Sequence, residues 1–532
     1  MKFETEEELL NYTSTIKGKT FKDIDSEKLL ENATLTRQKG LLGHVVETGF
    51  YKYPINSASK ADFEELDIEL KVTGYVRNKN GTLRAKERLV LSKIDFNKII
   101  NETFENSHVL GKCRKMLIIW YEYDHEKEAK DFLITNYQLY DMDNDKEIFK
   151  NDFDIIKQKV LEGKAHELSE GDTSYLGACT KARTSSDRTT QPFSDILSKP
   201  RAYSLKNAYM TGILREGIEN TTITLSNTTK YNNDSTKKES SKVKENLQFK
   251  PISIKHTSPS KESNDTSQLQ KSDISPKYVQ KDKSTHILTN KSEYQPVNIP
   301  KFKTVEEYVK DKLKPYFGKT QIEILEEITG KKYGEKIPKQ ISKMISDELI
   351  GKDKELPKKD KLFAKTSFII KNLPIKENGK PRERMSFKTI SLSEFKEEWE
   401  DSFWKNYFEE TTLIVICYQE VKGSRNGYRI LKDVKKVTFN DEDLEAFEKT
   451  YNQIKLAIEK EDNKLLPIST NGFKNQLLEI APKGIKGDDA YNNFFKKDKT
   501  KVAFMISKEL LYNKLSNTFS FGSVQPIFFQ EE

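Results

Sequence analysis

The sequence predicts an α/β (α+β) protein with two domains of similar plan, each with a central mixed sheet flanked by helices, joined by a long flexible linker. Helix-like segments alternate with short, apolar, strand-like segments in both halves of the chain, a mixture typical of sheets covered by helices. Hydrophobic residues make up 35% of the 532 residues and aromatic residues 10%, which suffices for sizeable cores. The length allows about two to four domains.

Residues 220–300 form the predicted linker. They include 13 Lys, 13 Ser, 10 Thr and 8 Asn, with one Phe and no Gly or Trp. Such a composition cannot bury enough apolar surface to offset the chain entropy that is lost on folding. We therefore expect a flexible segment between an N-terminal domain over residues 1–219 and a C-terminal domain over residues 301–532.

Composition and charge exclude several classes of protein. The net charge of +8 says little about partners, because the predicted linker carries 13 Lys against 8 Asp and Glu. No apolar run approaches the ~18–20 residues that cross a membrane, and the acidic N-terminal residues do not resemble a signal peptide. The cysteines Cys113, Cys179 and Cys417 are far apart, which excludes a disulfide framework and a cysteine zinc site and favours the cytoplasm. Because no Walker or dinucleotide motif is present, we expect no nucleotide cofactor.

The N-terminal half predicts two helices followed by several strands. Residues 67–76 and 87–93 alternate between polar and apolar on either side of Asn80-Gly81, which predicts a hairpin. Residues 116–123 are almost continuously apolar and predict a strand that is buried on both faces. The predicted elements are helices over residues 5–16, 40–48 and 152–162 and strands over residues 67–76, 87–93, 116–123 and 131–141.

The C-terminal half repeats this plan. Leu413-Ile-Val-Ile416 matches Leu117-Ile-Ile-Trp120, and residues 478–483 match residues 176–181, in the same order along the chain. We therefore predict an internal duplication with strong divergence. The alternative is that two α/β domains share similar strands by chance.

One pattern of residues suggests chemistry. Asp62 lies seven residues before Glu69, and Lys71 follows two residues later, which gives D-x6-E-x-K. Glu69 and Lys71 project from the same face of a strand, and two carboxylates with the Leu70 carbonyl make an oxygen site suited to Mg2+. Since a neighbouring lysine can orient water and offset phosphate charge, the pattern fits hydrolysis of a phosphodiester. The alternative is a solvated strand face, because E-x-K also occurs at residues 128–130 and 162–164.

Several ordered motifs within residues 1–216 resemble the MutH-like nucleases, a family that includes mismatch-repair nicking enzymes and Sau-type restriction endonucleases that cut GATC. The opening residues 5–10, the K-G-x-x-G-x-x-x-E pattern of residues 39–47 and the D-F-x5-E-L-K pattern of residues 62–71 match this family. Residues 163–171, 173–176 and 201–206 look like the Sau-type branch. The resemblance implies two restriction-endonuclease-like domains, the second of them degenerate.

The resemblance also implies a role for each candidate catalytic residue. Asp62 and Glu69 would hold the metal, and Lys71 would position the attacking water. Glu47 would anchor the site from its helix, and Lys112 would sense or stabilise the scissile phosphate. An ordinary acid on a helix surface is the alternative for Glu47, and a plain surface lysine is the alternative for Lys112.

In this family a loop after the long helix reads bases in the major groove, and it maps onto residues 175–183. Lys181 is the candidate base contact, because lysine pairs with guanine O6 and N7, although Cys179-Thr180 replace the family's Arg-Pro before it. The other candidate DNA contacts are Lys39, Arg84, Tyr203, Ser204 and Lys206. Lys206 would meet phosphate, and a solvated charge is the alternative for Lys39 and Arg84.

The C-terminal copy lacks the candidate chemistry. Ile369 and Leu362 occupy the positions of the metal-binding carboxylates, and Phe408 beside Glu409 occupies that of the catalytic lysine. The base-reading segment survives and includes Lys483. We therefore predict that residues 301–532 bind a second copy of the DNA site as an effector, with a scaffolding or oligomerising domain as the alternative.

These features together predict a Mg2+-dependent type II restriction endonuclease that cleaves double-stranded DNA at a short palindrome, GATC by resemblance, and leaves 5′-phosphate ends. Each chain has one intact set of catalytic residues, so we expect two chains to meet on DNA or one chain to cut twice. A strand-nicking repair endonuclease, a non-catalytic DNA-binding regulator and a protein-interaction scaffold are the alternatives.

Overall fold

The structure is a computed structural model that describes residues 2–31, 40–53, 60–78, 81–124, 126–181, 186–218, 304–334, 336–351, 363–421 and 426–516. The described parts of residues 1–223 and 301–532 belong to one compact unit. The predicted linker, Asn80 of the predicted turn, Lys39 and Leu362 lie outside the described residues, so the linker and the domain boundaries stay predictions. No helix of the described ranges is long and apolar enough to cross a membrane.

The N-terminal half consists of mixed sheets with helices packed on them. Its helices are α1 (Glu6–Ser14), α2 (Phe21–Ile24), α3 (Leu41–His44), α4 (Phe96–Ile99), α5 (His108–Cys113), α6 (Lys146–Leu161) and α7 (207–218). Its strands are β1 (Ile68–Arg77), β2 (Leu83–Ala85), β3 (Leu89–Lys93), β4 (Lys115–Glu122), β5 (Leu133–Asp141), β6 (Leu176–Thr180), β7 (Thr189–Gln191), β8 (Ser194–Ser198) and β9 (Arg201–Leu205). A π-helical segment, Val45–Phe50, continues α3.

Two sheets organise this half. The first has the strand order β2-β1-β4-β5, in which β1 and β4 are parallel and the other pairs are antiparallel. The second has the order β3-β9-β6 and is antiparallel. Strands β7 and β8 form a separate two-stranded ribbon. This mixed arrangement, with helices on the sheets, confirms the predicted fold class.

Strand β4 lies at the centre of the half, as its apolar sequence predicts. Met116, Ile118 and Trp120 pack into one hydrophobic cluster, and Leu117 and Ile119 pack into a second cluster on the opposite face. All five side chains are fully buried. Because β4 is the parallel partner of β1, this core fixes the strand that carries Glu69 and Lys71.

The predicted hairpin is wrong in its pairing. The antiparallel partner of β1 is the short β2, which pairs with it between Tyr75 and Arg77, whereas Leu89–Lys93 pairs with β9 in the second sheet. Between the two, Arg88 turns into a buried junction with the C-terminal half. The alternation of residues 87–93 predicts a strand correctly, but it does not specify which sheet the strand joins.

The C-terminal half has its own helices and strands. Its helices are α8 (Val305–Leu313), α9 (Gln321–Thr329), α10 (Ile341–Leu349), α11 (Phe403–Glu410), α12 (Asp441–Lys460), α13 (Gly487–Asn492) and α14 (Lys508–Ser516). Its strands are β10 (Phe368–Ile375), β11 (Met385–Ser391), β12 (Thr412–Gln419), β13 (Ile430–Val437), β14 (Leu478–Pro482) and β15 (Lys499–Ile506).

The C-terminal half repeats the topology of the N-terminal half. Strand β10 is parallel to β12, which is antiparallel to β13, and β11-β15-β14 forms an antiparallel sheet. Small details also recur, since Thr20 and Thr320 each cap a helix with a reciprocal side-chain bond. The strand register places Ile369 at the position of Glu69 and Glu409 at the position of Lys112.

Buried ion pairs join the two halves. Arg88 donates to Glu170 at 3.0 Å and to Glu409 at 2.6 Å, and these three side chains are each less than a tenth exposed. Arg201 and Asp441 form a second pair across the junction at 2.6 Å. The N-terminal half is therefore held against the repeat by charged side chains that are largely buried.

Candidate active site

The start of strand β1 brings two predicted carboxylates together with two predicted lysines. Asp62 accepts a hydrogen bond from the Leu70 backbone N–H at 2.9 Å, which fixes Asp62 beside the strand. Lys71 Nζ lies 2.7 Å from Glu69 Oε1, because alternate residues of a strand share a face. Helix α5 ends at Cys113 and presents Lys112 Nζ 3.6 Å from the same Glu69 oxygen.

Glu47 faces this group from the π-helical segment after α3. Burial, followed by the charges of Asp62 and Glu69, raises the pKa of Glu47 to about 7. Lys112 and Lys71 oppose this shift. Glu47 therefore lies close enough to interact with all four charges, so the structure brings the five predicted catalytic residues near one another.

One oxygen of the Glu69 carboxylate has no hydrogen-bond partner within the described part of the protein. Burial raises the pKa of Glu69, although Lys71 counteracts the shift. Glu69 Oε2 is buried and has no hydrogen-bond partner, even though Oε1 is paired with Lys71. An orphaned carboxylate oxygen that is destabilised by its surroundings fits the donor set of a divalent metal.

The protein contributes only part of such a metal shell. Within the described ranges, no group of three or more His, Cys, Asp or Glu side chains is arranged to hold a metal ion. Asp62 and Glu69, with the Leu70 carbonyl, would leave the remaining positions to water and to substrate oxygens. This is the mode of binding that Mg2+ prefers, since Mg2+ keeps several waters.

Lys71 is charged in this arrangement. Burial lowers the pKa of Lys71, but Cys113, Glu69 and Asp62 together outweigh burial and raise it above the usual value. The Lys71 ammonium is therefore suited to orient a nucleophile or to offset phosphate charge.

Lys181, the predicted base contact, lies at the surface. It follows strand β6, and its backbone N–H donates to the Pro200 carbonyl at 2.7 Å. A cleft of about 630 Å³ opens beside it. Two further cations, Lys93 and Arg188, line this cleft and were not predicted as DNA contacts. Lys93 ends β3 and Arg188 directly precedes β7, so a basic residue at a strand end is the signal that the sequence offers.

Three residues that were predicted to contact DNA are buried. The prediction that they lie at a DNA-facing surface is therefore wrong. Tyr203 stacks on Phe153 at 6.0 Å and is 2% exposed. Ser204 donates to Glu170 at 2.9 Å. Lys206 donates to the carbonyls of Glu170 and Thr173. These side chains pack within the sheet and near the junction between the halves and are turned away from the surface.

Two other predicted DNA contacts have partners within the protein. Arg84 packs on the ring of Phe403, 5.7 Å from its centroid, at the end of β1 that is distant from Glu69. Lys483 follows β14 as Lys181 follows β6, and its ammonium donates to the Phe387 carbonyl at 2.9 Å. The structure thus separates Arg84 from the catalytic group and keeps Lys483 at the repeated position.

Comparison with known proteins agrees with the geometry. The family model described as DNA mismatch repair enzyme MutH matches residues 51–152, which contain Asp62, Glu69, Lys71 and Lys112. The chain is also 31% identical over 424 residues to the type II restriction enzyme Sau3AI of Staphylococcus aureus. That alignment covers 77% of this chain and 72% of the relative.

An alignment of 424 residues is longer than either half, so it includes residues from both the catalytic half and its repeat. The similarity therefore extends over both halves of the chain and is not confined to one motif. The chain therefore belongs to the MutH-like family of DNA endonucleases, in the branch of the Sau-type restriction enzymes.

Proposed function

We propose that this protein is a type II restriction endonuclease that uses Mg2+ to hydrolyse both strands of duplex DNA at a short palindrome. The observation that carries this proposal is the convergence of Asp62, Glu69, Lys71 and Lys112 at the start of two parallel strands, with Glu47 facing them. The restriction-enzyme relative supports the type II assignment. GATC is the recognition sequence that the Sau-type resemblance implies.

Each residue of the group has a distinct proposed task. Asp62, Glu69 and the Leu70 carbonyl would hold Mg2+, which when bound polarises the phosphoryl group and lowers the pKa of the attacking water. Lys71 would hold that water in line with the scissile bond. In-line attack on phosphorus leaves the phosphate on the 5′ end when the 3′ oxygen departs.

Lys112 and Glu47 would complete the charge balance. Lys112 Nζ is 3.6 Å from Glu69 and would bind a non-bridging oxygen of the scissile phosphate as charge builds up there. The pKa of Glu47 is raised to about 7 by burial and by the neighbouring carboxylates. A cation between the carboxylates would favour ionised Glu47, which would then anchor Lys71 or a second metal.

DNA recognition is proposed to involve both halves. Lys181 would contact a base in the major groove, and the repeat would bind a second duplex through Lys483, which occupies the equivalent position. Because Ile369 and Glu409 replace the catalytic residues of the repeat, that second duplex would be an effector and not a substrate. Two chains would then meet on DNA to cut both strands.

A plasmid with one unmethylated GATC separates the candidate functions. The full chain with Mg2+ should convert supercoiled plasmid to linear DNA that a ligase recloses without added kinase. A plasmid in which GTAC replaces GATC, and a reaction with chelator, should remain uncut. Accumulation of open circles alone would favour a nicking repair enzyme, and a mobility shift without any cutting would favour a DNA-binding regulator.

The effector proposal needs a second measurement. An uncleavable GATC duplex with phosphorothioate linkages should stimulate cleavage of a one-site substrate. Lys483→Ala should remove the stimulation and leave basal cleavage unchanged, whereas the exposed neighbour Lys486 provides a control variant, Lys486→Ala. Equal stimulation of both variants would contradict a role for Lys483.

A further inference from the structure

An exposed apolar ribbon lies along the chain between β6, which Lys181 follows, and β9, the partner of β6. The ribbon consists of β7 and β8, Thr189–Gln191 and Ser194–Ser198. Phe193, Ile196 and Leu197 are 68%, 57% and 53% exposed, which are the highest exposures of large hydrophobic side chains in the described residues. Phe193 at the tip also has a positive φ of 62°, which is an outlier for a bulky residue.

The ribbon is held rigidly, so this exposure is not that of a loose loop. Gln191 accepts from the Ala165 backbone N–H at 2.7 Å, lies 2.9 Å from His166 Nδ1 and donates to the Ile196 carbonyl at 2.5 Å. Ser198 donates to the Ala165 carbonyl at 2.9 Å. Gln191 and Ser198 are buried. Hydrogen bonds thus hold the backbone that carries the apolar side chains. Binding of a ligand to these side chains would therefore cost little conformational entropy.

The ribbon is continuous with the proposed base-reading position. Ile196 lies four residues before Pro200, whose carbonyl accepts the Lys181 N–H, so the Cα atoms of Ile196 and Pro200 are at most about 14 Å apart. The cleft at the root of the ribbon is lined by the cations Lys93, Lys181 and Arg188 and by the acids Asp95 and Asp187. Arg201 also lines it, but its guanidinium is buried and paired with Asp441. The remaining small excess of positive charge complements a phosphate backbone.

Within the described residues, the ribbon occurs in the N-terminal half and has no counterpart in the repeat. In the repeat, helix α13 occupies the connection between β14 and β15 that corresponds to the ribbon. The half with the carboxylates thus has a ribbon that the described repeat does not share.

We propose that the apolar ribbon enters the major groove beside Lys181 and reads thymine through its C5-methyl group. The major groove is wide enough for a two-stranded β-ribbon, and apolar side chains there contact the thymine methyl. Phe193 at the tip, with Ile196 and Leu197 on the two faces of β8, would supply those apolar contacts. This inference rests on the proposed function, because the site must contain thymine, as GATC does.

Removal of the thymine methyl tests the contact directly. Duplexes carry GATC with either thymine or uracil on both strands, and the full chain is assayed for cleavage with Mg2+ and for binding with Ca2+. Burial of one methyl group corresponds to about a fourfold effect. The wild type should therefore lose about four- to tenfold in cleavage or affinity with uracil. The triple variant F193S/I196S/L197S should bind both duplexes equally and as weakly as the wild type binds uracil.

Controls separate this inference from the proposed function. The variant V421S/L456S removes exposed apolar residues from the repeat and should keep the wild-type preference for thymine.

Equal binding of both duplexes by the wild type, or a preference that survives in the triple variant, would overturn the ribbon's role even if cleavage occurs. A thymine preference in binding without cleavage would support the ribbon while the endonuclease proposal failed. A triple variant that changes only the oligomeric state would assign the ribbon to contacts between chains and overturn the proposal.

Discussion

Arg88 is the cation at the centre of the junction between the halves, and Arg88→Ala is the sharpest test of that junction. Its guanidinium contacts Glu170 at 3.0 Å, Glu409 at 2.6 Å and Asn406 at 2.9 Å, with Glu410 at 3.7 Å. Only 9% of the Arg88 side chain is exposed, and the three glutamates are 6% exposed or less. The variant would leave three buried carboxylates without their shared cation.

The expected magnitude follows from this burial. Removal of one partner from a buried ion pair costs about 3–5 kcal/mol, so Arg88→Ala should lower the free energy of unfolding by at least about 3 kcal/mol at pH 8. Burial opposes ionisation of Glu409, but Arg88 and Lys405 outweigh it and lower the pKa of Glu409. In the wild type the ionised form is therefore stabilising above the unfolded pKa. In the variant, the three buried carboxylates have lost Arg88, so their ionisation destabilises the folded state as the pH rises.

The difference in free energy of unfolding between the wild type and Arg88→Ala should thus shrink as the pH falls toward 5. Urea unfolding at pH 5 and pH 8 measures it, with Arg77→Ala as the control. Arg77 pairs with Glu122 at 3.0 Å but is 52% exposed, so its loss should cost no more than about 1 kcal/mol. If Arg88→Ala costs no more than Arg77→Ala at pH 8, the buried junction does not hold the halves together.

Three further predictions concern the site and the same junction. Lys71→Met should reduce single-turnover cleavage by at least about a hundredfold and leave DNA affinity in Ca2+ within about threefold; a matching loss of affinity would mean that Lys71 acts in binding. Burial raises the pKa of Glu410 to about 7, so ionised Glu410 destabilises the fold as the pH rises from about 4.5 through 7. Glu410→Gln should therefore be more stable than the wild type at pH 8, by up to about 3 kcal/mol, and equal to it at pH 4; a benefit at pH 4 would contradict this sign. A Cβ at Gly171 would overlap Thr438, so Gly171→Ala should cost about 1–3 kcal/mol, whereas Gly111→Ala, with open space around it, should cost nothing.

The sequence predicts well the features that depend on local periodicity. The continuous apolar run of β4 predicts burial on both faces, and Met116 to Trp120 are buried in that way. The two-residue period of a strand predicts that Glu69 and Lys71 share a face, and their side chains are in contact. The repeated order of strands in the two halves is also visible in the sequence, because each strand type recurs with its own apolar pattern.

Features that depend on tertiary partners were not predictable. Nothing in residues 87–93 distinguishes a strand that pairs with β1 from one that pairs with β9. The polar side chains of Ser204 and Lys206 suggest a surface, yet Glu170 and Thr173 satisfy them in the interior. Arg88 has no local signal, because the glutamates that bind it at the junction come from distant parts of the chain.

The central claim is that the carboxylates and lysines at the start of β1 cut DNA at a defined sequence. The most direct measurement is to digest unmethylated phage DNA with Mg2+ and to sequence the fragment ends, for the wild type and for Glu69→Ala. The wild type should give discrete fragments with 5′-phosphates that all map to GATC, and Glu69→Ala should give none. Ends at random sequences, or equal digestion by Glu69→Ala, would contradict the proposed site and its metal-binding carboxylates.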